Sequence, residues 1–154
     1  MAGYKNTTTG GNTFIGFYSG YNNDLGLGNT FIGNYVGYSN TSGGWNTFLG
    51  NGTGNANTIG EENVFVGQGA GGSNVEGSFN TFIGKQAGLA NTDGNNNTYL
   101  GHFAGYYKTA GDYNVFIGAG AGSSNLTGSG NVFIGTSAGA FEPGSNRLYI
   151  SSMH

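Results

Sequence analysis

Asn12-Thr13-Phe14-Ile15-Gly16 returns as Asn29-Thr30-Phe31-Ile32-Gly33, and the same N-[TV]-[FY]-[ILV]-G pattern begins again at Asn46, Asn63, Asn80, Asn97, Asn114 and Asn131. Every step is 17 residues. A second Gly stands eight places after each Asn, from Gly20 to Gly139, and a third stands fourteen places after it, from Gly26 to Gly128. A further Asn lies eleven places on, at Asn23, Asn40, Asn57, Asn74, Asn91 and Asn125, giving way to Lys108 and Glu142 in the other two units. A fixed period of this length is the signature of a solenoid, in which each repeat is one coil that buries its apolar side only against its neighbours.

The three residues after each Asn are β-branched, aromatic and aliphatic, too few for a helix and bounded by Gly and Asn, so they predict a short strand. Seventeen residues then make one coil, and strands stacked in parallel about 4.8 Å apart give a rod on the order of 40 Å long for nine coils. The predicted fold is all-β: a parallel β-solenoid, or β-roll, of about nine 17-residue coils. Residues 1–11 form a partial N-terminal coil, 12–139 the regular repeats, and 140–154 a shortened terminal coil and exit segment. In that last coil Gly144 takes the third-Gly position and Arg147-Leu148-Tyr149-Ile150 stands for the N-T-F-I run, one residue early, just after the single proline, Pro143. Ala2, Gly3 and Asn6 are already in phase with later repeats, so the piece reads as cut from a longer array.

Composition agrees. The chain has 34 glycines and 7% charged residues, which on their own read as disorder, but 14% of its residues are aromatic and disordered chains are poor in aromatics. Gly is expected where the chain turns with positive φ or where backbones approach closely, and Asn where the left-handed conformation or a side-chain amide bond to backbone is needed. Stacked Asn side chains are also expected to bond to one another between coils.

Side chains alternate across a strand, so the repeat generates two ladders on opposite faces. One is aliphatic: Ile15, Ile32, Leu49, Val66, Ile83, Leu100, Ile117, Ile134 and Ile150. The other is aromatic: Phe14, Phe31, Phe48, Phe65, Phe82, Tyr99, Phe116, Phe133 and Tyr149. Only one ladder can face the inside of a coil. The aliphatic ladder is expected inward as the core, on the ground that a narrow coil takes branched side chains more readily than a ring in every layer. The aromatic ladder is then expected outward as an interface, nine rings at roughly 150 Å² each exposing on the order of 1,000 Å², more than the roughly 300–600 Å² of a typical monomer's largest patch. Such a surface calls for burial by other copies of the chain, and a threefold bundle brings three stripes to one axis.

Little in the sequence points to chemistry. There is no cysteine, hence no disulfide framework and no thiolate metal site. The acids Asp24, Glu61, Glu62, Glu76, Asp93, Asp112 and Glu142 share no single position of the repeat, which argues against both a paired-carboxylate site and a Ca²⁺-binding nonapeptide array. No G-x-x-x-x-G-K-[ST] phosphate loop occurs. His102 falls at a variable position and His154 is the last residue, so each reads as a surface residue, and neither an enzyme nor a cofactor is expected. Net charge is -3 with cations only at Lys5, Lys85, Lys108 and Arg147, so nucleic acid is not an expected partner. No apolar run reaches the ~20 residues of a membrane helix, and no membrane insertion is expected. Aromatics outside the ladder gather at variable positions of the first, second and sixth coils, and Tyr35, Tyr38, Tyr106 and Tyr107 are the candidate contacts for a cell-surface glycan or receptor.

The N-T-F-I-G-x-x-A-G run followed by N-x-x-G resembles the Gly/Asn-rich repeats of phage tail-fibre and bacterial surface proteins. The closing Gly144-Ser145-Asn146-Arg147-Leu148-Tyr149-Ile150 is similar to the exit segment that follows such arrays. More distantly, N-[TV]-F-I-G is similar to the head repeats of trimeric autotransporter adhesins, which are trimers of left-handed β-rolls. Those heads have a shorter repeat and Ala where this chain has an aromatic. The resemblance covers essentially the whole chain and implies left-handed coils, a homotrimer and an extracellular setting: a virion fibre, an injection-apparatus fibre or a bacterial cell surface. The expected function is a structural or adhesive shaft that spaces and presents receptor-binding surface. The alternatives are a glycan-binding module and an ice-binding solenoid. The second draws on a partial Thr13, Thr30, Thr47, Thr81, Thr98 ladder that Val64, Val115 and Val132 interrupt.

Overall fold

A computed structural model describes residues 1–7 and 10–151. Thr8 and Thr9 of the partial first coil, and 152–154 with His154, lie outside the described residues. Nine three-residue strands form one parallel sheet in sequence order: β1 Thr13–Ile15, β2 Thr30–Ile32, β3 Thr47–Leu49, β4 Val64–Val66, β5 Thr81–Ile83, β6 Thr98–Leu100, β7 Val115–Ile117, β8 Val132–Ile134 and β9 Leu148–Ile150. Eight turns of a β-solenoid connect them. Like pairs with like throughout: Phe14 with Phe31, Phe31 with Phe48, and so on along the stack. The last step joins Phe133 to Tyr149 and Ile134 to Ile150, which places the shortened coil where the sequence put it.

The expectation about which ladder lies inside is overturned. Phe31, Phe48, Phe65, Phe82, Tyr99, Phe116 and Phe133 are fully buried and form the core, with Phe14 half-buried at one end and Tyr149 exposed at the other. The aromatic ladder is therefore no interface. The aliphatic ladder assigned to the core faces out: Ile15, Ile32, Ile83, Leu100 and Ile150 are exposed, while Leu49, Val66, Ile117 and Ile134 are half-buried.

The physical reason is the shape of a ring and the glycine opposite it. From Phe31 to Phe133 successive rings stack with centroids 4.6–4.8 Å apart and planes within 10° of one another, matching the strand spacing. Each ring lies across its own coil and occupies one layer, with its faces against the rings above and below. Room for its edge comes from the second Gly of the repeat. At Gly71, which has φ +56, an added Cβ would sit 2.4 Å from the Phe65 ring. The residue before that Gly is small as well, and Ala70, Ala87, Ala104 and Ala121 are fully buried. A narrow coil thus holds a ring in every layer because the facing wall carries almost no side chain.

The Asn ladders form as expected. Asn40 Nδ2 donates to Asn23 Oδ1 (2.6 Å), Asn57 to Asn40 (2.7 Å), Asn74 to Asn57 (2.9 Å) and Asn91 to Asn74 (2.7 Å). Each also donates to the carbonyl of the Gly three residues on, as Asn57 does to Gly60 (3.0 Å). The strand-leading Asn residues run a second ladder: the Asn63 amide donates to Asn46 Oδ1 (3.0 Å), while Asn63 Nδ2 reaches the Gly77 carbonyl (2.8 Å). Gly60 is needed for close approach and not for an unusual φ, since a Cβ there would meet the Gly77 carbonyl oxygen at 2.4 Å. Where the ladder is unbroken, buried amides are thereby satisfied without a second apolar layer.

Candidate functional surfaces

The first and third residues of each strand share the outward face of the sheet, so the rod presents a Thr/Val column beside an Ile/Leu/Val column. The aliphatic column carries an apolar side chain in every coil, with Ile15 57%, Ile32 38%, Ile83 37% and Leu100 44% exposed. No other element crosses this face among the described residues, because the remainder of each coil is spent on turns.

The four candidate tyrosines do not converge. Tyr35 and Tyr38 belong to a cluster on the first coils, where Tyr4, Tyr21 and Tyr38 stack in file at 5.1 and 5.5 Å and Tyr18 lies 5.5 Å from Tyr35. Partial burial, followed by the neighbouring Tyr4, Tyr18 and Tyr38 phenols, raises the Tyr21 pKa. Tyr106 occupies the repeat position of Tyr38 four coils further on, about 19 Å along the rod at the strand spacing. There Phe103, Tyr106, Tyr107, Gly120 and Ser123 line a cleft of about 310 Å³. Tyr106 packs edge-on against Tyr107 (4.5 Å) and Phe103 (4.9 Å), and the His102 ring lies on Phe103 at 3.8 Å. The sequence named Tyr106 and Tyr107 only as candidate contacts; the cleft beside them and the tilt of the rings that line it were not legible there.

Two breaks in the Asn ladder carry the unusual electrostatics. Lys108 stands in place of an Asn and is buried, with Nζ donating to the Gly128 carbonyl (2.6 Å) and to the Ala110 carbonyl. Burial pulls its ammonium down to about 8, against the opposing pull of Asp112. Because Nζ reaches onward to later carbonyls, Asn91 Oδ1 is left buried without a partner. Asn125 Oδ1 is orphaned in the same way, where Glu142 replaces the next Asn. Glu142 instead accepts from the Gly144 amide (3.0 Å) and the Tyr149 hydroxyl (2.9 Å), bonds that lower its own pKa and raise that of Tyr149. Among the described residues no three His, Cys, Asp or Glu side chains gather as a metal set. No helix among the described residues is long and apolar enough to cross a membrane.

One surface feature escaped the sequence reading. The residue just before the strand-leading Asn sits in the left-handed region in every described coil, and three of its occupants are large aromatics: Trp45 (φ 55), Phe79 (φ 60) and Tyr113 (φ 59). Each costs about 1–2 kcal/mol relative to Gly, which fills the same position at Gly28 and Gly130. The sequence signal was an aromatic before the Asn in alternate repeats. No family model, curated protein or solved structure matches this chain.

Proposed function

We propose that the chain is a rigid segment of an extracellular fibre or surface adhesin, assembled as a homotrimer through the outward face of its sheet and serving to space and present receptor-contacting surface. The observation that carries this reading is the uncovered aliphatic column. Scattered apolar residues on a surface need no explanation, but this column recurs in every coil of a rod about 40 Å long. Taken with the Thr/Val column beside it, about 7 Å away across the strand, it makes a strip of roughly 300 Å², at the lower end of the range of a functional patch. Three such strips meeting on one axis cover each other. The likeness of the repeat to fibre and surface-protein arrays supports the same setting.

Light scattering on the purified chain tests the proposal. A trimeric mass that falls to the monomer in Ile83→Asp, with the fold retained by circular dichroism, is the expected result. A parent chain that is monomeric at every concentration overturns it. The cleft at Tyr106 and Tyr107 favours a second reading, a glycan-binding module. A glycan array should then give hits that disappear in Tyr106→Ala and Tyr107→Ala, and an array without hits refutes that reading.

A further inference from the structure

The position before the strand-leading Asn runs along one edge of the rod as Trp45, Glu62, Phe79, Asn96 and Tyr113, so rings alternate with polar side chains. All five are exposed and all five hold a left-handed backbone. Trp45 is 56%, Phe79 48% and Tyr113 67% exposed, and among the described residues none of the three stacks on another ring of the protein. A bulky residue in this conformation is an outlier that folding alone does not call for, since Gly28 and Gly130 make the same corner without strain. The corner is otherwise firmly built: each of the three amides donates to a carbonyl of the preceding coil, Trp45 to Leu27 (2.9 Å), Phe79 to Glu61 (3.0 Å) and Tyr113 to Asn95 (3.2 Å). Gly28 also leaves room for the indole to lie down along the edge, because a Cβ there would come within 2.9 Å of Trp45 Cδ1. Trp45 and Glu62 line an open notch of about 440 Å³.

The spacing identifies what fits. Successive coils are 4.7 and 4.8 Å apart along the ring stack, so residues on alternate coils are about 9.5 Å apart. An extended β-1,4-linked polysaccharide has a disaccharide repeat of similar length, and its near-twofold twist presents the same C–H-rich sugar face once per disaccharide. Aromatic rings at that interval can each take one such face, and a carboxylate and an amide between them can bond to the hydroxyls of the intervening sugars. We propose that Trp45, Phe79 and Tyr113, with Glu62 and Asn96 between them, form a linear binding strip for an extended β-1,4-linked glycan lying along the rod axis. Three rings at two-sugar intervals engage a chain of at least five sugars. The strip is separate from the Tyr106–Tyr107 cleft and does not depend on how the rod self-associates.

Isothermal titration with cellohexaose, chitohexaose and maltohexaose tests the proposal. At least one of the two β-1,4-linked hexamers should bind, and its disaccharide at least tenfold more weakly. Whichever hexamer binds better tells a glucan from an N-acetylglucosamine polymer, and maltohexaose, with its curved α-linked backbone, should not bind. Trp45→Gly and Phe79→Gly keep the residue type that the corner accepts in other coils. They should fold with an unchanged or higher melting temperature and lose at least tenfold in hexamer affinity. The proposal is overturned if neither β-linked hexamer binds at millimolar concentration, if maltohexaose binds as well, if the Gly variants bind like the parent, or if they change the oligomeric mass, which would make the strip a protein contact.

Discussion

Phe65→Ala probes the core where its composition was least expected. The Phe65 ring is fully buried between Phe48 and Phe82, at 4.7 and 4.8 Å with interplanar angles of 3° and 5°, and its edge fills the space opposite Gly71. Truncation removes a buried ring from a site that cannot collapse, because the stack above and below is held at the strand spacing. Phe→Ala in such a site costs about 3–5 kcal/mol, and the loss of two aromatic contacts, each worth ~0.5–1.5 kcal/mol, places it toward the upper end. Val66→Ala, one residue on, removes two methyl groups from a half-buried outward position and should cost about 1 kcal/mol or less in the single chain. Urea titration followed by near-ultraviolet circular dichroism compares the two. If Val66→Ala destabilises the chain as much as Phe65→Ala, the assignment of the aromatic ladder to the interior is refuted.

Other consequences of the same packing can be measured with little more material. Gly71→Ala adds a Cβ at φ +56 and 2.4 Å from the Phe65 ring, and should destabilise by several kcal/mol in the same titration; an effect under 1 kcal/mol would contradict the account of the facing wall. Lys108→Asn should restore the donor that Asn91 Oδ1 lacks and raise stability by about 1–3 kcal/mol, and an unchanged or lower midpoint would count against the orphaned acceptor. The parent should also gain stability as pH rises through about 8 toward the unfolded lysine value near 10.5, because over that window the unfolded chain binds a proton that the folded chain has released; the Lys108→Asn variant should lack this rise. Burial raises the Tyr99 phenol, whose hydroxyl has no hydrogen-bond partner, well above 10, so its contribution works the other way: full below pH 10 and lost as pH climbs above it. Alkaline difference spectroscopy should find one tyrosine that ionises only when the solenoid unfolds, and ten tyrosines titrating together in the folded chain would refute its burial.

The period, the like-on-like register and the shortened last coil were legible because each depends only on where residues recur. Asn57 and Asn74 had to lie one above the other once the coil was 17 residues long, and their bond at 2.9 Å follows. The orientation of the strands was not legible, because alternation defines two faces without ranking them. What ranks them is the Ala70-Gly71 pair opposite Phe65, a contact between residues on different walls of the coil that periodicity leaves unspecified. The tyrosines of the first coils could be found by composition, yet Tyr38 and Tyr106 share a repeat position and still fall into separate clusters, since four coils lie between them. That Trp45, Phe79 and Tyr113 share one repeat position was hidden because Gly, Glu and Asn also occupy it and dilute the pattern, whereas the backbone conformation is common to all of them.

The most direct test of the functional account is the mass of the native chain in solution. Multi-angle light scattering across a range of concentrations should give three times the 15.7 kDa of one chain, about 47 kDa, and Ile83→Asp on the outward face should return a folded single chain. A folded parent that remains at 15.7 kDa under all conditions would mean that the aliphatic face is not buried by copies of itself, and would contradict the account.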